Sequence, residues 1–289
     1  MADEHQAHQH HHHAASEADT ALFTELLDLD GEILSSYLSE VTGWVRELAA
    51  NRPVRRVLDL GTGTGNGAIA LARLFGAAEV IAVDQSAEFL SRLSAKAAVA
   101  GVADRIRTIE ADLDGPWPVS GTVDVVWTSL VLHHLADPDR ALAEIYAAIE
   151  PDGLLAVAEM SDTVRFLPHD LGLGRPGFED RYHEAAGGAA KAAMPLLGAD
   201  WGPHLSGAGF TDVIERRFDI EVTPPLPAAA GRYLQLSLHR AHGELGDTLA
   251  EDDLATLGAL ISDDGPHSVR RRQDLTIRGT RTLWTGRHP

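Results

Sequence analysis

The chain has 289 residues, enough for one large domain with a full core. Acidic residues outnumber Lys plus Arg by 43 to 24, a formal charge of −19, so the averaged surface field disfavours nucleic acid and anionic membranes as partners. There is no cysteine, which excludes thiol catalysis, cysteine zinc sites and a disulfide framework; with no signal-peptide core and no long apolar run, a cytoplasmic protein is expected.

Residues 1–19 are polar and rich in histidine (His5, His8, His10 to His13), with nothing to bury, and are expected to be a disordered tail ahead of a single domain over 20–289. Two helices follow, 21–29 and 33–49, parted at Gly31. The second repeats Leu34, Leu38, Val41, Val45 and Leu48 on one face, with Tyr37 and Trp44 flanking it. An alternation then sets in: strand 57–60, helix 66–75, strand 79–83, helix 86–100 capped by Ser86 and closed by Gly101, strand 105–109, strand 123–128, helix 138–149 opened by Asp137-Pro138, and strand 154–158. Past Glu159 a Gly-, Pro- and His-rich segment intervenes. Strand 211–218, helices 229–244 and 251–262, and a Thr- and Arg-rich closing strand within 275–286 complete the pattern. This is the rhythm of an α/β, doubly wound, mostly parallel seven-stranded sheet with N-terminal helices (21–49). The core occupies 54–162, 200–222 and 274–289, and insertions 163–199 and 223–273 form a helical lid.

The chemistry is concentrated at residues 57 to 67. Val57, Leu58 and Leu60 read as a buried parallel strand, and Gly61, Gly63, Gly65 and Gly67 leave the following turn free of Cβ atoms, as a nucleotide-binding crevice requires. Glycine spacing alone is weak, since Gly63, Gly65 and Ala68 also satisfy the looser dinucleotide pattern. The acids discriminate better. Asp84, closing the second strand, suits ribose hydroxyls, while Asp59 and Asp112 bring two more carboxylates to the same crevice. Three acids would repel a pyrophosphate and hold a ligand carrying an ammonium and a sulfonium.

This set of residues resembles the class I S-adenosylmethionine-dependent methyltransferases of small-molecule type, from about Val54 to Phe218 and again over the last residues. The resemblance implies that Asp59, Gly61, Gly63 and Gly65 line the methionine portion of S-adenosylmethionine. It also implies that Asp84 takes the ribose hydroxyls and that Asp112 takes the adenine amine with Leu113 beside the ring; Gln85 and Ser129 are the remaining expected cofactor-binding residues. Ile149-Glu150-Pro151-Asp152-Gly153 is similar to the family's Lys-Pro-Gly-Gly turn, with Glu150 and Asp152 as departures from it.

In open α/β sheets the crevice lies beyond the carboxyl ends of the strands, so Ser129 to His134 and Glu159 to Asp162 face the acceptor. His133, His134 and Glu159 are therefore the candidate catalytic residues, an imidazole being the side chain that titrates near working pH. No metal site is expected. The expected function is transfer of a methyl group from S-adenosylmethionine, yielding S-adenosylhomocysteine, to an oxygen or nitrogen of a small organic molecule. The alternatives are a non-catalytic binder of the same cofactor and an NAD-dependent oxidoreductase. A small-molecule acceptor is the expected partner, and a homodimer is compatible with the sequence.

Overall fold

The computed structural model describes residues 17–160 and 163–289, with side chains described from Thr20 onward. Residues 1–16 of the histidine-rich tail, and Ser161 and Asp162, lie outside the described residues, while residues 17–19, expected in the tail, open the first helix. Helices α1 (Glu17–Ile33) and α2 (Ser35–Leu48) precede β1 (Arg56–Leu60), α3 (Asn66–Leu74), β2 (Glu79–Asp84), α4 (Ala87–Ala100), β3 (Ile106–Glu110), β4 (Val123–Ser129), α5 (Pro138–Ala148) and β5 (Ile149–Glu159). Then come α6 (Phe178–Ala193), α7 (Gly202–Gly207), β6 (Thr211–Val222), α8 (Ala229–Glu244), α9 (Glu251–Ile261) and β7 (Ile277–Arg287). The seven strands form one sheet in the order β3-β2-β1-β4-β5-β7-β6. The first five are parallel, and β7 runs antiparallel to both its neighbours.

Alternation along the strands divides the apolar residues between two faces. Val57, Val80, Ala82, Val125, Trp127 and Ala156 pack with α2, α3 and α4. Leu58, Leu60, Ile81, Val83, Val126 and Val157 pack with α5 and α7. The local signals act as expected: Ser86 accepts the Phe89 N–H at 3.2 Å, Asp137 accepts that of Arg140 at 2.9 Å, and Gly101 closes α4 at φ +71°.

A third apolar cluster joins the end of α1 to α6, α8, α9 and the upper parts of β6 and β7, through Ile33, Phe166, Phe178, Leu238, Leu257, Ile220 and Ile277. The segments inserted before β6 and before β7 thus share an apolar core of their own with the end of α1. Helix α6 lies inside the Gly-, Pro- and His-rich segment that follows Glu159. Strand β6 reaches Val222 rather than Phe218, and β5 begins at Ile149, its pairing with β4 shifting between Val123 and Val125.

Gly31 does not part the first two helices: α1 continues to Ile33 and the break comes at Leu34. A glycine inside a helix costs only about 1 kcal/mol. Here it has a packing reason, since a Cβ at Gly31 would stand 2.2 Å from the Asn66 side chain at the start of α3.

Candidate active site

A cavity of about 610 Å³ opens at the carboxyl ends of β1, β2 and β4 and is roofed by α1 and α2. Its floor is the β1–α3 turn. Gly63, at φ +54°, faces the space with Leu27 Cδ1 3.6 Å from where a Cβ would be, so its bareness leaves room in the cavity. Gly65, at φ +85°, is glycine for a different reason: a Cβ there would lie 2.4 Å from Leu93 Cγ of α4. Only part of the glycine pattern therefore serves a ligand, and the rest lets the turn pack on its own protein.

The carboxylates converge as the sequence suggests. Asp59 is 2% exposed and accepts the Thr62 hydroxyl at 2.7 Å. Burial pushes its pKa up to about 7, with the Asp84 charge adding and the Thr62 bond opposing. Asp84 accepts the N–H of Gly63 at 2.8 Å and of Ser86 at 2.9 Å, so it fixes both the glycine turn and the start of α4; burial raises its pKa against those bonds. Asp112 accepts the N–H of Asp114 at 2.9 Å. Gly61, Gln85, Leu113 and Ser129 also line the cavity.

The candidate catalytic residues divide. His134 lines the cavity. Partial burial of its ring lowers its pKa to about 4, with the adjacent His133 ring and the Arg240 guanidinium adding to the effect. His133 and Glu159 are 5% and 2% exposed and stand outside the lining. Glu159 Oε2 lies 2.5 Å from His133 Nδ1, and Oε1 accepts the N–H of Val131 and of Leu132, each at 3.1 Å. The pair thus holds the loop after β4 in place, and neither side chain reaches the cavity.

Several lining residues carried no readable signal. Asp114 lines the cavity and accepts the Ala136 N–H at 3.0 Å, tying the β3–β4 connection to the loop before α5. The Lys96 ammonium on α4 bonds Asp28 at 2.5 Å and Asn66 at 2.7 Å, and Asn66 donates to the Leu27 carbonyl at 2.9 Å, so the roof helix is clamped to the glycine turn. Arg281, on β7, also lines the cavity. The Arg-rich character of the closing strand was legible, but its approach to the site depends on a strand order that no local pattern encodes. Tyr37 lines the cavity, and Tyr233 reaches its wall by donating to Asp30 at 3.2 Å. Among the other lid residues, Arg175 pairs with Asp252 and Asp253, His183 meets Thr163 at 3.0 Å, and Trp201 is fully buried beneath the sheet. Among the described residues no three metal-ligating side chains converge, and no helix is long and apolar enough to cross a membrane.

A doubly wound sheet with a reversed seventh strand, bearing an acid-lined glycine turn where the strand order switches, defines a nucleotide-cofactor protein of the methyltransferase type. Residues 57–153 match the family model described as a methyltransferase domain. Trans-aconitate 2-methyltransferase of Azoarcus sp. is 28% identical over 80% of this chain and 76% of its own length. The demethylmenaquinone methyltransferase of Thermus thermophilus is 36% identical over 39% of this chain and only 50% of its own. Among solved structures, a candidate methyltransferase of Bacillus halodurans superposes with a TM-score of 0.55 at 17% identity, over 88% of this chain and 99% of that one. Residues 57–153 thus carry a methyltransferase domain, and the fold of the chain is that of the class I S-adenosylmethionine-dependent methyltransferases.

Proposed function

We propose that the protein methylates an oxygen or nitrogen of a small organic molecule at the expense of S-adenosylmethionine. The observation that carries this reading is the convergence of Asp59, Asp84 and Asp112 on one glycine turn beneath a roofed cavity. The donor set fits the cofactor. A buried carboxylate whose pKa is pushed up to about 7 is one whose ionised form a neighbouring ammonium would stabilise. The bare face of Gly63 leaves room for a ligand against the backbone.

Asp59 and the turn Gly61 to Gly65 would hold the methionine end, Asp84 with Gln85 the ribose hydroxyls, and Asp112 with Leu113 the adenine. When bound, the cofactor supplies an electrophilic methyl group on a sulfonium. The chain's own contribution is orientation and exclusion of water. Ser129 and Leu130 end β4 beside the acceptor space, and Leu27, Leu34, Tyr37 and Leu38 cover it from above. Holding the nucleophile in line is worth roughly 7 to 11 kcal/mol. His134 is the imidazole placed to accept a hydrogen bond or proton from the acceptor.

Calorimetry with S-adenosylhomocysteine and with NAD, followed by methyl-labelled cofactor in a metabolite extract, tests the reading. The homocysteine product is expected to bind and label to appear on a small molecule. Binding of NAD alone would favour the oxidoreductase, and product binding without transfer to any compound would leave a non-catalytic binder.

A further inference from the structure

Helix α1 lays one stripe of residues over the cavity. Leu27, Asp30, Gly31 and, just past the helix end, Leu34 follow the helical spacing of three and four, and all of them line it. Two apolar side chains and a glycine packed on Asn66 are what a roof over a ligand needs. Asp30 is the exception. A carboxylate in that stripe gives up water, which costs stability with no packing in return, and it opens on the cavity rather than on the outer surface.

Asp30 stands on the acceptor side. Tyr233 of α8 donates to it at 3.2 Å, and its charge is felt by Arg281 of β7, next to the Thr282 that pairs with Glu159. The Tyr37 phenol on α2 lies in range of the charges of both Asp30 and Glu159. These neighbours place Asp30 over the ends of β5 and β7, whereas Asp84 and Asp112 stand at the ends of β2 and β3.

Among the described residues, Tyr233 is the one hydrogen-bond donor to the Asp30 carboxylate. Burial raises the pKa of that phenol, so it keeps its proton and remains a donor. One carboxylate oxygen is thereby held, and the second can meet an occupant of the cavity. Burial also raises the pKa of Asp30, with the Arg281 charge and the Tyr233 bond opposing, which makes it a better base than an exposed carboxylate. The His134 imidazole, lowered to about 4, is no stronger a base than an ordinary carboxylate.

We propose that Asp30, positioned by Tyr233, is the general base that takes the proton of the methyl acceptor. This rests on the methyltransferase reading above and assigns its proton transfer to a residue of α1. The acceptor oxygen or nitrogen forms its bond to the methyl carbon, and the methyl–sulfur bond breaks with its electron pair left on sulfur. The proton released by the acceptor goes to Asp30, which returns it to water as the product leaves.

The test follows label from methyl-labelled S-adenosylmethionine onto whichever compound of a metabolite extract the wild-type protein methylates. Asp30→Asn should transfer label roughly 10²- to 10⁴-fold more slowly. By calorimetry it should bind S-adenosylhomocysteine within about threefold of wild type, and its melting temperature should not fall, since a desolvated charge has been removed. Tyr233→Phe should lose part of the rate. Asp30→Ala should recover rate in proportion to added formate, a small carboxylate able to enter the vacated space; this compares one protein with itself, so a weakened fold does not shield the proposal. Label transfer by Asp30→Asn near the wild-type rate, or no effect of formate on Asp30→Ala, overturns it. Absence of S-adenosylhomocysteine binding, or of any label transfer, in the wild type is a different result, which overturns the methyltransferase reading and the proposal with it.

Discussion

Glu159 and His133 meet at 2.5 Å with both side chains almost wholly buried, one at the end of β5 and the other in the loop after β4. The other Glu159 oxygen takes two backbone N–H groups of the same loop. Glu159→Ala would leave three buried polar groups without their acceptor, each worth about 1 to 3 kcal/mol. The expected loss is about 3 kcal/mol or more, seen as a melting temperature lower by roughly 6 °C or more. A melting temperature unchanged from wild type would show that the contact carries no stability.

His134 leads to a different expectation. With its pKa lowered to about 4, by burial first and then by His133 and Arg240, the imidazole is neutral through the working range. It is also a weak base, and proton-transfer catalysis falls with basicity. His134→Asn should therefore lower kcat/KM by about tenfold rather than by thousands. The wild-type pH profile should show an acid limb near pH 4 that the variant lacks. A limb near pH 6.5 instead would mean that the cavity does not depress the ring.

Asp59 links cofactor affinity to pH. Its folded pKa is raised from 3.8 to about 7, so below pH 7 an ammonium must displace a proton to pair with it. Affinity for S-adenosylhomocysteine should fall by up to about tenfold per pH unit below 7 and level off above it. In the ligand-free protein the sign is opposite: the raised pKa contributes stability that is full below pH 3.8 and lost as pH rises through about 7, roughly 4 kcal/mol at most. Asp59→Asn should flatten both dependences, as calorimetry and denaturation across pH would show.

The two roles of glycine separate by measurement. Gly63→Ala places a methyl group in the cavity with no protein atom closer than 3.6 Å, and should reduce cofactor affinity with only a small loss of stability from its φ of +54°. Gly65→Ala drives a methyl group into Leu93 and should destabilise the fold itself. Asp84→Ala, which removes a charged acceptor, should weaken S-adenosylhomocysteine binding by about 1.5 to 3 kcal/mol. Equal melting temperatures for the two glycine variants would contradict the distinction.

What could be read from the chain is what is local along it. Asp59, the glycines and Asp84 lie within one βαβ unit, where strand period, turn composition and helix capping fix their relative positions, and the structure brings them together with Asp112. The sequence places His133 and His134 equally near the end of β4, and only the fold shows that one turns inward to Glu159 while the other lines the cavity. Gly31 read as a helix break because the signal is statistical, whereas its cause is a contact with Asn66, 35 positions away. The Lys96 clamp and Arg281 were invisible for the same reason: their partners arrive through tertiary packing.

The position of β7 has a consequence for the order of events during synthesis. Strand β6 pairs with β7 alone, and β7 inserts between β6 and β5, although it is the last of the seven to leave the ribosome. The five parallel strands and the glycine turn can assemble while β6 still waits for its only neighbour. A nascent chain ending before Ile277 should therefore already offer Asp59, Asp84 and Asp112 to a cofactor, yet lack the Arg281 side chain in the cavity lining. The part of the cavity wall that Arg281 supplies is therefore completed last.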